Sequence, residues 1–227
     1  MGMVLAAAAP VAHAADMTFS ASVGTRSASA HFATSGSNLI VTLTNTSALD
    51  AIVPVDVLTA VFFNVSGSPI SLTRQTAIVP AGHSVFYGPT DPGNSVGGEW
   101  AYDSGISGPE GRSYGIGSAG FGIFGPGNRF PGNDLQPPAS PNGLEYGITT
   151  AGDNLATGNT PMTGTNALIK SQVVFTLSGL PAGFDPSTRI NGVLFQYGTD
   201  LSEPRTPEPG TLALLGVGAL ALIRRRR

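Results

Sequence analysis

The 227-residue chain contains no cysteine and few charged side chains. Without cysteine it forms no disulfide bond, no thiolate metal site and no cysteine nucleophile, so packing and strand pairing must stabilise the fold. Charged residues make up 11% of the chain, whereas about 25% is usual in globular proteins. The net charge is −3, and the arginines outside the C-terminal end are scattered. This excludes the basic patch that binds nucleic acid.

Histidine is scarce as well. The three histidines are His13, His31 and His83. His13 belongs to the N-terminal segment described below, and the other two lie far apart in predicted strands. Neither has a carboxylate neighbour at the spacing that a two-histidine metal site requires. We therefore expect ordinary surface or core histidines, no metal and no cofactor.

Glycine, proline and small polar residues are abundant instead. The chain holds 31 glycines and 18 prolines, and hydrophobic residues make up 41%. β-Branched and aromatic residues are too frequent for a fully disordered chain. This composition is typical of an exported all-β protein with many turns. Roughly 190 residues lie between the two ends, which is enough for one domain with its own core.

Residues 1–15, MGMVLAAAAPVAHAA, predict a secretory signal peptide. An alanine-rich run leads into Ala12-His13-Ala14, a small-x-small signal-peptidase site, so that cleavage just after it would leave a mature chain beginning near Asp16. The positively charged start of a signal peptide is missing, and we expect that a start codon placed too late explains its loss. A disordered alanine-rich tail is the alternative. Signal peptidase and the secretion machinery are then expected partners.

Alternating apolar and polar residues predict β-strands through most of the chain. Residues 39–45, LIVTLTN, place Leu39, Val41 and Leu43 on one face and threonines on the other. Residues 55–65, VDVLTAVFFNV, are apolar on both faces, as in a central strand of a sandwich. Further strands are predicted in residues 17–32, 70–79, 83–87, 143–150, 168–177 and 192–197.

These strands predict an all-β fold, an antiparallel β-sandwich of jelly-roll or Ig-like type, over residues 16–198. A glycine- and proline-rich insertion of about residues 88–142 interrupts it. About 50 structureless residues would be unusual inside a domain. We therefore expect short strands and ordered loop over one edge or end of the sandwich, packed through aromatic side chains. These aromatic side chains are Trp100, Tyr102, Tyr114, Phe121, Phe124 and Phe130.

The acidic residues form no clear catalytic pattern. A glycosidase needs two carboxylates about 5–10 Å apart across a cleft. Glu99 with Asp103, or Glu110 with Glu145, could meet in that way, but their spacing does not single them out. We therefore expect no catalytic site.

Two further loop patterns are explained as turns. Residues 91–94 and 132–134 offer oxygen ligands for calcium, but they match no complete calcium-binding loop. The glycines of residues 115–122 follow no clear strand and begin no helix, which excludes a phosphate-binding loop.

The C-terminal end combines three features in a fixed order. Pro207-Glu208-Pro209 is a rigid extended stretch, because proline fixes φ and removes a backbone donor. The uncharged run of residues 211–223 follows, and the chain ends in a basic cluster. The residues of the run that form the predicted anchor are Thr211, Leu212, Leu214, Leu215, Val217, Leu220, Leu222 and Ile223. The basic cluster consists of Arg224, Arg225, Arg226 and Arg227.

An uncharged run followed by arginines predicts a single transmembrane helix whose basic end stays in the cytoplasm. Its ~13 residues give only ~20 Å of helix, short of the ~30 Å hydrocarbon core. The arginine side chains can extend outward to offset part of this mismatch. Such a short anchor suits temporary retention in the membrane. A buried C-terminal core helix is the alternative, although the run has no polar face.

This order of motif, apolar helix and arginine cluster resembles the PEP-CTERM sorting signal of bacterial exosortase substrates. The resemblance covers about the last 23 residues and implies that Pro207, Glu208 and Pro209 are the sorting motif. It also implies that exosortase, a transpeptidase-like protease of the membrane, cuts near this motif. The substrate is then sent to the cell surface or the extracellular matrix. In this interpretation residues 199–227 comprise a polar linker followed by the sorting and anchor segment.

Two functions follow for the body of the chain. The first is a non-enzymatic surface or matrix protein whose neutral polar surface adheres to extracellular polysaccharide in a biofilm. The second is a carbohydrate-binding or carbohydrate-active protein on a jelly-roll scaffold. Tyr and Trp of the insertion are candidates for stacking on sugars, although core packing is the expected role for them. Two carboxylates facing each other in an aromatic groove would favour the enzyme.

Overall fold

The computed structural model describes residues 16–120 and 143–207. The predicted signal peptide, the second part of the insertion and the tail from Glu208 onward lie outside these residues. The described part forms thirteen strands and one short α-helix, α1 (Pro186–Arg189). The strands are β1 (Asp16–Val23), β2 (Arg26–Ser35), β3 (Asn38–Asn45), β4 (Leu58–Val65), β5 (Thr73–Ile78), β6 (Val85–Phe86), β7 (Ala101–Ser104), β8 (Tyr114–Gly117), β9 (Gly147–Thr149), β10 (Leu168–Lys170), β11 (Gln172–Ser178), β12 (Ile190–Tyr197) and β13 (Arg205–Pro207).

The first sheet has five antiparallel strands in the order β1-β2-β3-β11-β5. Tight turns join β1 to β2 and β2 to β3, and Gly36 occupies a positive φ of 60° in the second turn, where a side chain would be strained. In β3 the side chains of Leu39, Val41 and Leu43 are fully buried and the intervening ones half-buried. The predicted strand and its buried face are therefore confirmed.

The second sheet has eight strands, ordered β13-β12-β4-β9-β10-β6, with β8 pairing to β4 and β7 pairing to β8. The prediction of a central strand is confirmed in β4, where every side chain from Leu58 to Phe63 is buried. The pairing is not antiparallel throughout, because β9 and β10 run parallel, with Ile148 opposite Ile169. Residues 150–167 connect these two strands, so no hairpin forms between them.

One apolar core lies between the two sheets. Phe32 of the first sheet contacts Phe63 of the second, with ring centroids 5.2 Å apart, and Trp100 lies 4.9 Å from Phe175. A smaller cluster lies on the other face of β4 and is formed by Ala60, Phe62, Ala101 and Leu194. The fold is therefore mostly β with two largely antiparallel sheets around a shared core. The jelly-roll or Ig-like connectivity stays a prediction.

The first part of the insertion is built into a sheet and does not lie over an edge. β7 and β8 form an antiparallel pair, and β8 continues onto β4. Trp100, Tyr102 and Tyr114 are buried in the core, which confirms their predicted packing. The other three aromatic residues of the insertion lie outside the described residues.

The predicted linker that follows Gly198 also differs from expectation. Residues 199–204 form a turn, and the chain then returns along β12 as β13. The polar composition of this stretch indicated a linker and gave no sign of a strand. In the structure, however, Thr206 is fully buried beside β12. The folded body therefore extends to Pro207.

Candidate functional site

The predicted sorting motif begins inside the folded body. β13 lies at the end of the second sheet and pairs antiparallel with β12. The side chain of Thr206 is fully buried, and its hydroxyl has no hydrogen-bond partner in the described part of the chain. β13 also contacts β1, at the edge of the first sheet. The residues that lie opposite each other are Leu194 and Pro207, Phe195 and Thr206, and Gln196 and Arg205.

Side chains of the turn before β13 hold it in place. The Glu203 carboxylate accepts hydrogen bonds from the backbone N–H groups of Thr199 and Asp200, the second at 2.8 Å. Gln196 donates from Nε2 to the Asp200 carbonyl at 2.9 Å, and the Tyr197 N–H donates to the Pro204 carbonyl at 3.2 Å. These bonds direct the chain from β12 back along its edge.

The remainder of the predicted motif, Glu208 and Pro209, lies outside the described residues. The predicted anchor (residues 211–223) and basic cluster (Arg224 to Arg227) lie there too, as do Ala12 and Ala14 of the predicted signal-peptidase site. Among the helices in residues 16–120 and 143–207, none has the length and apolar character needed to span a bilayer.

A surface pocket of about 620 Å³ lies among the loops at one end of the sheets. We call it the loop pocket. Three stretches form it: the turn between β1 and β2, the connection from β3 to β4, and the chain just after β9. Apolar residues between 48 and 53 line it together with polar ones. The polar residues that line it are Thr25, Arg26, Ser47, Asp50, Asp56 and Thr150.

An ion pair between Arg26 and Asp56 holds one wall of the loop pocket. Arg26 donates from Nη2 to Asp56 Oδ1 at 2.8 Å and from Nε to the Val55 carbonyl at 2.6 Å. Asp56 Oδ2 accepts hydrogen bonds from the N–H groups of Ile52 and Val53. Both side chains are largely buried, with exposed fractions of 20% and 17%. The pair therefore fixes the loop that leads into β4.

Two more carboxylates tie this loop to the connection after β9. Asp50 accepts hydrogen bonds from the Asn154 N–H at 3.3 Å and the Thr157 hydroxyl at 3.1 Å. Asp153 accepts one from the Ala51 N–H at 2.9 Å. Burial raises the pKa of the Asp153 carboxyl above its ordinary value of 3.8, and the negative charge of Asp50 adds to the rise. These carboxylates thus have a structural role, since each one fixes a loop.

Two buried hydroxyls belong to this end of the molecule. Thr150 lines the loop pocket and is 2% exposed, and the Tyr197 side chain is fully buried. The Thr150 hydroxyl has no hydrogen-bond partner in the described part of the chain. Burial raises the pKa of Tyr197, and three residues of the loop pocket, Ser47, Arg26 and Asp56, also act on that pKa. The Tyr197 hydroxyl therefore lies close beneath the pocket.

A second pocket, of about 200 Å³, contains two carboxylates and a tyrosine. Asp91, Glu99 and Tyr146 line it, and the Tyr146 hydroxyl donates to the Pro89 carbonyl at 2.8 Å. Burial raises the pKa of Tyr146 to about 12, and the negative charges of Glu99, Glu145 and Asp91 add to the rise. The tyrosine is therefore neutral at physiological pH. We call this the acidic pocket.

The structure brings Glu99 together with a carboxylate other than those that the sequence suggested for it. Glu99 shares the acidic pocket with Asp91, whereas Asp103 does not line it. Glu110 lies 3.5 Å from the Arg112 guanidinium. The pairing of Asp91 with Glu99 was missed because the two residues belong to separate turns, which the sequence gives no reason to bring together. Residues 91–95 form the predicted turn, with Asp91 and Ser95 exchanging backbone hydrogen bonds.

The histidines show no ligand arrangement in the described residues. His31 lies in β2 with its Nε2 atom 3.4 Å from an oxygen of Asp16 on β1, and His83 lies in the loop before β6. Residues 16–120 and 143–207 contain no group of three His, Asp or Glu side chains arranged to hold a metal ion.

The aromatic residues of the insertion that the structure describes belong to the core. Trp100 is fully buried and donates from Nε1 to the Tyr146 carbonyl at 3.1 Å. The Tyr114 hydroxyl accepts a hydrogen bond from the Ile70 N–H at 3.1 Å. These side chains are not available for stacking on a sugar. Among the aromatic side chains in the described part of the chain, that of Tyr87 is exposed, with an exposed fraction of 49%.

Sequence reasoning did not identify the loop pocket. Its lining residues come from three loops that are far apart in the chain, so no motif of fixed spacing exists to find. Arg26 gives a weak signal for this site. It is one of the few charged residues of the chain and lies at a turn between two strands, and a cation that becomes buried there requires a carboxylate partner.

Comparison with protein families identifies the C-terminal end. Residues 205–227 match the family model of the PEP-CTERM protein-sorting motif. The match includes β13 and confirms the resemblance seen in the sequence. Such a signal marks an exported protein that is sorted by exosortase, and it implies exosortase as the processing partner at the membrane. Comparisons with curated proteins and with solved structures found no match.

Proposed function

We propose that this protein is delivered to the cell surface or the extracellular matrix after exosortase processing, and that its body has a structural, adhesive role without catalysis. The observation that carries the proposal is the sorting-motif match at residues 205–227, directly at the end of a two-sheet body. A signal peptide at residues 1–15 would start the export. The short apolar run and the arginines after it would hold the chain in the membrane until it is processed.

The body itself supports a structural role. The carboxylates of the loop pocket accept hydrogen bonds from backbone groups and so serve to fix loops. Trp100 and Tyr114 fill the core between the sheets. What remains at the surface is mostly neutral and polar, which suits adhesion to hydrated extracellular polysaccharide by many weak contacts.

The sorting role is tested by the double variant Glu208→Ala/Pro209→Ala in a host that contains exosortase. These two positions are chosen because Pro207 also belongs to β13. We expect the variant to keep its tail and stay with the membrane, while the wild-type chain loses the tail and leaves it. Intact-mass spectrometry and cell fractionation measure both outcomes.

The matched control is Pro69→Ala, which replaces an exposed proline in a turn of the body. This control should be processed like the wild type. Normal processing of the double variant would contradict the proposed sorting role.

The second candidate function is carbohydrate binding at the loop pocket. Thr150 offers a buried hydroxyl without a partner in the described residues, and burying such a group without a hydrogen bond costs about 1–3 kcal/mol. A sugar hydroxyl reaching the pocket floor would relieve part of that cost. The exposed side chains of Leu49 and Ile52, with exposed fractions of 59% and 49%, would cover the apolar face of the sugar ring.

This candidate is tested with Thr150→Val, which removes the hydroxyl and keeps the shape. Retention of the protein on immobilised polysaccharide from the host should fall, whereas Thr73→Val, an exposed threonine on β5, should leave it unchanged. Equal retention of both variants would exclude the loop pocket as the binding site.

For a catalytic role, the acidic pocket is the site to test, because the loop-pocket carboxylates Asp50 and Asp56 are engaged in fixing loops. Asp91 and Glu99 are the two carboxylates that share it, as an acid and a base for glycoside hydrolysis would have to do. The same polysaccharide incubated with the purified protein should release no new reducing ends. Release that is abolished by Glu99→Gln would favour the enzyme.

A further inference from the structure

The sorting segment and the folded body overlap in β13. The matched segment begins at Arg205, and Pro207 is both the first residue of the predicted motif and the last residue of a paired strand. We propose that β13 is a latch, and that exosortase processes the chain only after β13 has left the second sheet. This inference rests on the proposed processing by exosortase and adds a regulation of that same site.

The closed latch is held by two neighbouring strands, β12 and β1. β12 pairs with β13, β1 lies against it, and the Tyr197 N–H donates to the Pro204 carbonyl at 3.2 Å. The side chain of Thr206 is buried completely. The Glu203 carboxylate fixes the turn before the strand by accepting hydrogen bonds from the backbone N–H groups of Thr199 and Asp200. A protease that approaches Pro207 therefore meets a strand whose inner edge is already occupied.

The same strand also has the features of a segment that can open locally. It is three residues long and lies at the sheet edge. Pro207 has no backbone N–H and donates nothing to β12. The buried Thr206 hydroxyl lacks a partner in the described residues, which weakens the docked state. Short edge segments with these properties open locally while the rest of a domain stays folded.

Opening is required by the way proteases bind substrates. Cleavage takes place in exposed, extended segments, and its rate follows the population of the opened state when opening and closing are fast. While β13 is docked, the backbone groups facing β12 and the Thr206 side chain are inaccessible to an enzyme. The fraction of chains with β13 undocked therefore sets the rate of processing.

The first test locks the latch with a disulfide. The double variant Gln196→Cys/Arg205→Cys places cysteines at opposite register positions, where the distance between Cα atoms suits a disulfide. Since the sequence has no cysteine of its own, no other disulfide can form within the chain. Tail loss in a host with exosortase should be at least about tenfold slower than in each single-cysteine variant. A permeant reductant should restore it.

The second test loosens the latch without touching the matched segment. Glu203→Ala removes the carboxylate that fixes the turn, and should speed tail loss on the order of fivefold, since losing a capping interaction shifts a local equilibrium by about that factor. The matched control is Asp185→Ala, which removes a comparable cap from α1, where Asp185 accepts the Ser187 N–H at 2.9 Å. Asp185→Ala should leave the rate unchanged.

The outcomes separate the latch from the sorting role. If the locked variant lost its tail as fast as the single-cysteine variants, or if Glu203→Ala behaved like Asp185→Ala, the latch would be disproved. The Glu208→Ala/Pro209→Ala variant would still show whether exosortase processes the chain. Failure of that variant to retain its tail would remove the proposed function and the latch together.

Discussion

The Arg26–Asp56 pair shows how much one buried carboxylate contributes to a chain with so few charges. Asp56 accepts three hydrogen bonds, from Arg26 and from the N–H groups of Ile52 and Val53. Removing it leaves a largely buried guanidinium and two backbone donors without their partner. Partners left unpaired in this way are costly, whereas exposed ion pairs contribute little to stability.

Asp56→Ala is therefore expected to lower the free energy of unfolding by about 2–4 kcal/mol. The control is Glu110→Ala. The Glu110 carboxylate is 47% exposed and forms an ion pair with Arg112, so its removal should lower the free energy of unfolding by less than about 1 kcal/mol. Urea denaturation followed by the fluorescence of Trp100 measures both values. Equal losses of unfolding free energy in the two variants would show that the Arg26–Asp56 pair contributes no more to stability than an exposed ion pair.

Asp153 and Asp200 should give opposite pH dependences. Burial raises the folded-state pKa of Asp153 above 3.8, so the folded protein holds this proton more tightly than the unfolded chain. The free energy of unfolding should then fall as the pH rises from 3.8 through the raised pKa. Hydrogen bonds from Ser202 lower the pKa of Asp200 below 3.8, so its contribution is present above 3.8 and is lost as the pH falls through the lowered pKa.

The test is to compare Asp153→Asn and Asp200→Asn with the wild type by denaturation from acidic to neutral pH. Asp153→Asn should remove a loss of stability that develops with rising pH, and Asp200→Asn should remove one that develops with falling pH. Pairs of curves that stay parallel to the wild type would show that these carboxyl groups are not perturbed.

At the scale of elements, the close packing of β9 depends on a glycine. A methyl group at Gly147 would overlap the Val57 side chain and lie 3.3 Å from Thr59. Gly147→Ala should therefore destabilise the fold by about 1–3 kcal/mol, the usual cost of overpacking a core. Gly152→Ala, where nothing lies within 4 Å of the added carbon, is the control and should be near neutral. Similar denaturation midpoints for both variants would contradict this packing.

The long strands could be predicted from the sequence, whereas the short ones could not. β3, β4 and β11 carry their own period-two or doubly apolar pattern, which burial in a sheet directly produces. β9, β10 and β13 are three residues each, too short to show a period. The parallel pairing of β9 with β10 depends on the long connection through residues 150–167, which no local pattern of the sequence indicates.

The candidate sites divide in the same way. The sorting motif could be predicted from the sequence, because the signal consists of residue types in a fixed order along the chain: prolines, an apolar run and arginines. The family match confirms this prediction. The loop pocket and the acidic pocket were missed, because each is assembled from turns that only the fold brings together. The strand that contains Pro207 was hidden by its polar flanks, Glu203 to Arg205.

For the whole molecule, the structure shows that the folded body continues beyond Gly198 through β13 to at least Pro207. A chain of residues 16–198 lacks β13, so it should unfold at lower urea concentration than a chain of residues 16–207, with a loss of about 1–3 kcal/mol from exposing the edge of β12. Denaturation of the two purified chains under identical conditions measures the difference. Equal stability would place the boundary at Gly198 again.

The docked position of β13 also determines how the body would respond to mechanical tension. A pull on the C-terminal end would reach this strand first, and only three residues pair it to β12. They would detach one after another, well before the long strands of either sheet. The ten residues 198–207 would then straighten to about 33 Å. A body tethered there would gain the difference between this length and the folded span of the segment as slack, and would keep its core intact.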